Sequence, residues 1–300
     1  MNSLATLFPP LARLRRLPLS RDQVMLLMAA INEIFLGVDT YLAHSLSGTI
    51  RPNEWIPIIF GPVSGGVLLL AGLIALRQRG LAQVLATVVF VASIVVGGLG
   101  AYFHIARTIL PGGPAGQQVT LDLFFWAPPV LGPLAFAFVG VLGLSAAWVE
   151  SPPDSGTLSL LGGVRLHLPY SKTQAYCFMV ALGTLIALIS SVLDHARTRF
   201  ENPWVWAPVG AGVFGVVVAA VLGATDRPTR ADVLTYAGAM ALLMLVGAVG
   251  AALHVNANLS GPSLVVPERF LRGAPFMAPL LFANMGMIGL IALLDPTESS

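Results

Sequence analysis

The sequence predicts an all-α integral membrane protein of eight transmembrane helices, arranged as two tandem, parallel four-helix bundles. Three observations carry this. Of the 300 residues, 56% are apolar and 10% charged. A soluble domain carries about 25% charged residues, so lipid must be the solvent for most of this chain. Apolar runs long enough to cross a bilayer, roughly 17–25 residues, recur at 24–46, 57–76, 81–104, 126–148, 174–195, 206–224, 233–254 and 276–294. Finally, the second half repeats the first.

The chain opens with a segment, 1–23, that is Arg-rich and broken by Pro9 and Pro10. It lacks an apolar core followed by a small-residue cleavage site, so it is expected to be a cytoplasmic segment and not a removable signal. The first unit, 24–148, begins after Leu17-Pro18-Leu19-Ser20-Arg21-Asp22-Gln23. The second, 174–300, begins at the end of Leu168-Pro169-Tyr170-Ser171-Lys172-Thr173-Gln174, the same motif 151 residues later. Both contain Ser-x-x-Gln, a capping box that opens a helix. At the same offset His44 meets His195, Pro52 meets Pro203, Trp55 meets Trp206 and Pro57 meets Pro208. At an offset of 150, His104 meets His254 and Trp126 meets Phe276. An even number of helices per unit makes the copies parallel, whereas inverted repeats need an odd number. The segment 149–173 is expected to be a cytoplasmic linker. Of the 16 Lys and Arg residues, ten fall on the N-terminus and one set of loops and six on the other. That bias places both termini in the cytoplasm of a bacterial-type inner membrane.

The net charge of +2, with no basic run, points away from nucleic acid. The single cysteine, Cys177, excludes an internal disulfide, a CxxCH haem attachment and a cysteine-held iron–sulfur cluster. No P-loop, GxSxG or HExxH motif is present, and the loops are too short for a soluble catalytic domain.

Four of the five histidines, His44, His104, His195 and His254, end the odd-numbered spans in one register. The fifth, His167, lies in the linker. Four residues before each stand Thr40, Gly100, Ser191 and Gly250; seven before stand Gly37, Gly97, Leu188 and Gly247. These positions share a helix face with the histidine. In an up-down-up-down bundle the first and third helices run parallel. His44 would then face His104, and His195 would face His254. Two imidazoles across an axis, above the small residues Gly97, Gly100, Gly247 and Gly250, suit the axial positions and bare edges of a haem b. Copper is the second metal that imidazoles favour. The plainer alternatives stay open: small residues at four-residue spacing pack membrane helices, and the helix dipole favours histidine at a C-terminus.

Glu33 lies near the middle of the first span, on nearly the face of His44 and about 16 Å deeper. A carboxyl there is expected to be protonated or paired, and it is the candidate proton-handling, catalytic residue. The second unit has Thr184 at the matching place. Asp39 and Asp194 are candidates to orient a histidine on another helix. Asn256, Asn258, Arg107 and Arg197 are candidates to bind propionates.

Two tandem four-helix units with four histidines near the outer face resemble haem A synthase, and the resemblance implies histidine-held haem. The histidines here end odd helices, whereas that family places them at the starts of even ones, and its acidic and cysteine-bearing loop motifs are absent. The plan is also similar to the quinol-oxidising anchor subunits of molybdenum-enzyme complexes. The expectation is a membrane redox protein exchanging electrons between quinone and an outer-face redox protein. The competing classes are a small-solute or proton-coupled transporter, and a cofactorless anchor subunit of an outer-face enzyme.

Overall fold

A computed structural model of the chain describes residues 19–45, 48, 50–109, 129–197, 199–260 and 267–294. Its helices are α1 (Arg21–Ser45), α2 (Trp55–Ala75), α3 (Arg79–Ile109), α4 (Leu131–Ala147), α5 (Lys172–Ala196), α6 (Trp206–Ala224), α7 (Arg230–Leu259), α8 (Pro267–Arg272) and α9 (Leu280–Ala292). Short 3-10 turns at Pro52–Glu54 and Pro203–Val205 lead into α2 and α6. Six helices, α1–α3 and α5–α7, are long and apolar enough to cross a membrane. Leu70, Leu73, Val63 and Leu245 stand on their outer faces, each more than half exposed, as lipid-facing side chains must.

Both capping boxes form. Ser20 N donates to Gln23 Oε1 at 2.8 Å and Gln23 N to Ser20 Oγ at 3.3 Å. Ser171 and Gln174 repeat the exchange at 2.9 and 3.3 Å.

The expected spans at 126–148 and 276–294 are shorter helices than the other six. α4 has 17 residues and α9 has 13, about 26 and 20 Å at 1.5 Å per residue. Proline is the reason: Pro133 and Pro279 have no N–H to extend a helix backwards. Before α9 the chain runs in tighter i→i+3 turns, with Ala278 N donating to Pro275 O at 3.2 Å and Leu281 N to Ala278 O at 3.2 Å. Trp126 lies outside the described residues.

The expected linker, 149–173, holds a three-stranded antiparallel meander of β1 (Val149–Glu150), β2 (Thr157–Ser159) and β3 (Arg165–His167). Leu158 pairs with Glu150 on one side and Leu166 on the other. The β2–β3 turn needs left-handed backbone, which Gly162 (φ 70°) and Gly163 (φ 78°) supply.

The chain divides into two compact units that do not follow the repeat boundary. One comprises Met1–Met28, Ser145–Leu188 and Trp206–Ser300; the other comprises Ala29–Leu144 and Ile189–Val205. In the first, Tyr176, Tyr236, Met240, Leu243 and Ile288 are fully buried. In the second, Phe90, Phe136 and Leu142 fill the core, with Phe60 edge-on to Phe136.

Glycines set the helix spacing, and they do so twice. A Cβ added at Gly97 of α3 would stand 2.5 Å from Ala137 N of α4, and one at Gly140 would stand 2.6 Å from Phe90 O. In the other unit a Cβ at Gly247 of α7 would stand 2.5 Å from Ala283 N of α9, and Gly286 lies against Met240 O. α7 therefore follows α3 at an offset of 150, but α9 follows α4 at 146. Phe276 accordingly corresponds to Val130, four residues from the Trp126 expected by the sequence offset.

Candidate functional site

His44 sits in the last turn of α1 and His104 near the end of α3, both half-buried in the same unit. Their ring centroids are 6.1 Å apart and their planes inclined at 66°. His44 Nδ1 lies 2.8 Å from Thr40 O, the carbonyl one turn below. His104 Nδ1 lies 2.9 Å from Pro129 O. That carbonyl is available because its helical partner four residues on, Pro133, has no N–H to give. A carbonyl only accepts, so each Nδ1 carries the hydrogen; a neutral ring held in this way has its lone pair on Nε2. Metal-ligating histidines are held in this way by a partner on the second nitrogen. An imidazole nitrogen sits about 2 Å from a first-row metal ion, so two rings sharing one ion have centroids roughly 6 Å apart.

His254 repeats the local arrangement in the other unit: its Nδ1 lies 3.0 Å from Pro275 O, four residues before Pro279. Pro129 and Pro275 are related by the same 146-residue offset as α4 and α9. The Pro-x-x-x-Pro spacing is a signal that a reading centred on histidine passes over. His195 belongs to the unit of His44 and His104, and His254 to the other. Only the first expected pair is thus brought together within one unit.

The small-residue stripe has a different occupant from the one expected. Gly97 faces Ala137 and Pro133, Gly100 faces Pro133, Gly247 faces Ala283 and Pro279, and Gly250 faces Pro279. Their bare faces are filled by the following helix. Gly37 likewise lies against Pro62 and Gly61 of α2.

The polar candidates also find particular partners. Arg107 Nη1 lies 3.5 Å from Glu54 Oε1. Asp194 is exposed and 3.8 Å from Arg197 Nη1. Asp39 is exposed on α1. Asn258 clamps the backbone before α9, donating from Nδ2 to Ala274 O and accepting from Ala274 N, both at 2.8 Å. Each described Nδ1 of His44, His104 and His254 is held by a backbone carbonyl.

Glu33 is fully buried. Ser64 Oγ of α2 lies 3.2 Å from its Oε2 and 2.9 Å from Gly61 O. Ser93 Oγ of α3 lies 2.5 Å from its Oε1 and 2.8 Å from Phe136 O of α4. One carboxyl thus draws α1, α2, α3 and α4 to one point.

Sequence reasoning missed a second polar cluster. Lys172 Nζ donates to Asp22 Oδ2 at 2.5 Å and to Trp148 O at 2.7 Å. Arg21 Nη1 donates to Thr173 Oγ1 at 2.7 Å, and its guanidinium stands 5.2 Å from the centre of the Tyr176 ring. Tyr176 donates to the other Asp22 oxygen at 3.0 Å. Glu150 accepts three backbone N–H groups, from Lys172 at 2.9 Å, Gly156 at 2.8 Å and Asp154 at 3.1 Å. Arg21 and Lys172 are equivalent in the repeat, as are Asp22 and Thr173. Each cation reaches the residue after the other, the reciprocal pattern of a two-fold interface.

Comparison with protein-family models, with curated proteins and with solved structures finds no match. The resemblance in plan to haem A synthase therefore rests on the histidines and the repeat alone.

Proposed function

We propose that the chain is a membrane redox protein that holds a haem b between His44 and His104, near the outer face of a bacterial inner membrane. The supporting observation is the adjacent imidazole pair, 6.1 Å between centroids and edge-on at 66°, with both Nδ1 atoms bonded to carbonyls. The donor set favours haem over a bare ion. Among the described residues no three His, Cys, Asp or Glu side chains converge on one point. Zinc or copper held by protein needs three or four ligands, whereas a porphyrin supplies four nitrogens and asks the protein for two.

A bound haem would supply one-electron chemistry, exchanging electrons between the quinone pool and an outer-face partner. The residues of this chain hold and orient. Thr40 O and Pro129 O fix the two rings and make each Nε2 a stronger donor. α4 and α9 complete the eight-helix plan, with both termini in the cytoplasm. The test is the visible spectrum of detergent-purified protein from haem-replete cells. A reduced-minus-oxidised b-type signal, lost in His44→Ala and His104→Ala, is expected. A colourless preparation overturns the haem, and copper found in its place would also overturn the argument from the donor set.

A proton-coupled transporter is the second reading, favoured by the buried Glu33 carboxyl. Comparing wild type with Glu33→Gln in a proteoliposome pH-gradient assay separates the two.

A further inference from the structure

We propose that Glu33, Ser64 and Ser93 form a proton-binding site midway along α1 in which the carboxyl is held as the neutral acid. The hydrogens available in the cluster decide the protonation. The two serine hydroxyls carry one hydrogen each. They face four acceptors: Gly61 O, Phe136 O and the two Glu33 oxygens. The carbonyls can only accept. If Ser93 gives its hydrogen to Phe136 O, the 2.5 Å approach of Ser93 Oγ to Glu33 Oε1 needs a hydrogen from the carboxyl. A carboxylate leaves two of the four contacts without hydrogen; a carboxylic acid donating to Ser93 leaves one. Unsatisfied contacts are costly in a buried site.

Among the described residues no charged side chain is bonded to Glu33. α2 and α4 contain no Asp, Glu, Lys, Arg or His. Those of α3 are Arg79, His104 and Arg107, towards its ends. Those of α1 in this unit are Asp39 and His44, and residues 189–205 add Asp194, His195, Arg197, Arg199 and Glu201. The hydrogen bonds of Glu33 are to the two serines.

The second repeat argues that the site is more than packing. At the offsets found above, Glu33, Ser64 and Ser93 become Thr184, Gly215 and Leu243. Leu243 fills the space beside Gly215, where a Cβ would stand 2.9 Å from its Cδ1. The same helices therefore pack without a carboxyl, a serine or a proton. In the second copy these three positions are filled without an acid, so Glu33 adds to the first what that packing lacks: a place for a hydrogen ion. This inference does not depend on the histidines.

Infrared difference spectroscopy of the full chain in nanodiscs at neutral pH tests it, comparing wild type with Glu33→Gln. The expected result is one protonated-carboxyl C=O band present in the wild type and lost in the variant, moving to lower frequency in heavy water. Glu33→Thr, which copies the residue the second repeat already tolerates, must lose the same band, and this guards against a misfolded glutamine variant. Loss of a carboxylate band instead, or a carboxylate band that responds to sodium, overturns the proposal.

Discussion

At the scale of single residues, chemistry depends on what the backbone offers a side chain. The histidines were legible because their register repeats; the carbonyls that hold them were not, because every residue has one. What makes Pro129 O special is a missing hydrogen four residues later. Pro133→Ala would restore an N–H that competes for Pro129 O and loosens the His104 ring. Loss of such an orienting partner typically costs 10–100-fold in metal affinity; on the proposed haem ligation by His44 and His104, titration with haem is expected to show a weakening in that range, with Thr40→Ala, which leaves its carbonyl in place, close to wild type. Glycines offer a sharper stability test. Gly97 lies against the backbone of Ala137, while Gly98 next to it has nothing within 4 Å. Gly97→Ala must push α3 from α4 and is expected to lose about 1–3 kcal/mol of stability. Gly98→Ala should gain up to about 1 kcal/mol from helix propensity. Unfolding in mild detergent with added denaturant measures both, and equal effects would remove the packing role assigned to the stripe.

At the scale of elements, hydropathy marked the long helices well, because a span of 25 residues such as α1 outlasts any boundary error. It overestimated α4 and α9, where hydropathy counts proline-rich approaches as span although proline cannot continue a helix backwards. It missed the meander, whose three strands have two or three residues each, too few for a period to declare itself. The starts of α1 and α5 were legible as capping boxes, but not the way they meet. Lys172 is buried and its partner Asp22 is about a fifth exposed, so truncating one leaves the other poorly satisfied. Breaking a buried pair costs about 3–5 kcal/mol, and the exposure of Asp22 places this one near the lower end. Lys172→Met should therefore destabilise strongly, while Lys172→Met with Asp22→Leu should recover part of the loss. A double-mutant cycle on the same unfolding assay reports the coupling, and strict additivity would show that the two side chains act apart.

At the scale of the whole chain, duplication and divergence account for what was visible and what was not. The copies were recognisable from Trp55/Trp206, His44/His195 and the capping boxes, all near helix ends, where geometry and interface constrain residue type. Inside the helices the copies have parted: Glu33 faces Ser64 and Ser93 in one, and Leu243 closes on Gly215 in the other. The proposed parallel relation between the copies has a consequence for topology. Arg21 reaches Thr173 as Lys172 reaches Asp22, so α1 and α5 begin side by side, and each must enter the membrane from the same surface. The loops opening α2 and α6, at Asn53 and Asn202, must then share the opposite surface, since each of α1 and α5 is a single continuous span. Single cysteines placed at Leu19, Leu168, Asn53 and Asn202, in a Cys177→Ala background, are expected to label with a membrane-impermeant reagent in two sets. In intact cells the cysteines at 53 and 202 are expected to react, and those at 19 and 168 only after the membrane is opened, the partition that the excess of Lys and Arg favours under the proposed orientation. The reverse partition would invert the orientation yet preserve the parallel copies. Splitting of the pair 19 and 168 is the outcome incompatible with the Arg21–Lys172 clasp, because two helix starts joined by buried hydrogen bonds cannot lie on opposite sides of a bilayer.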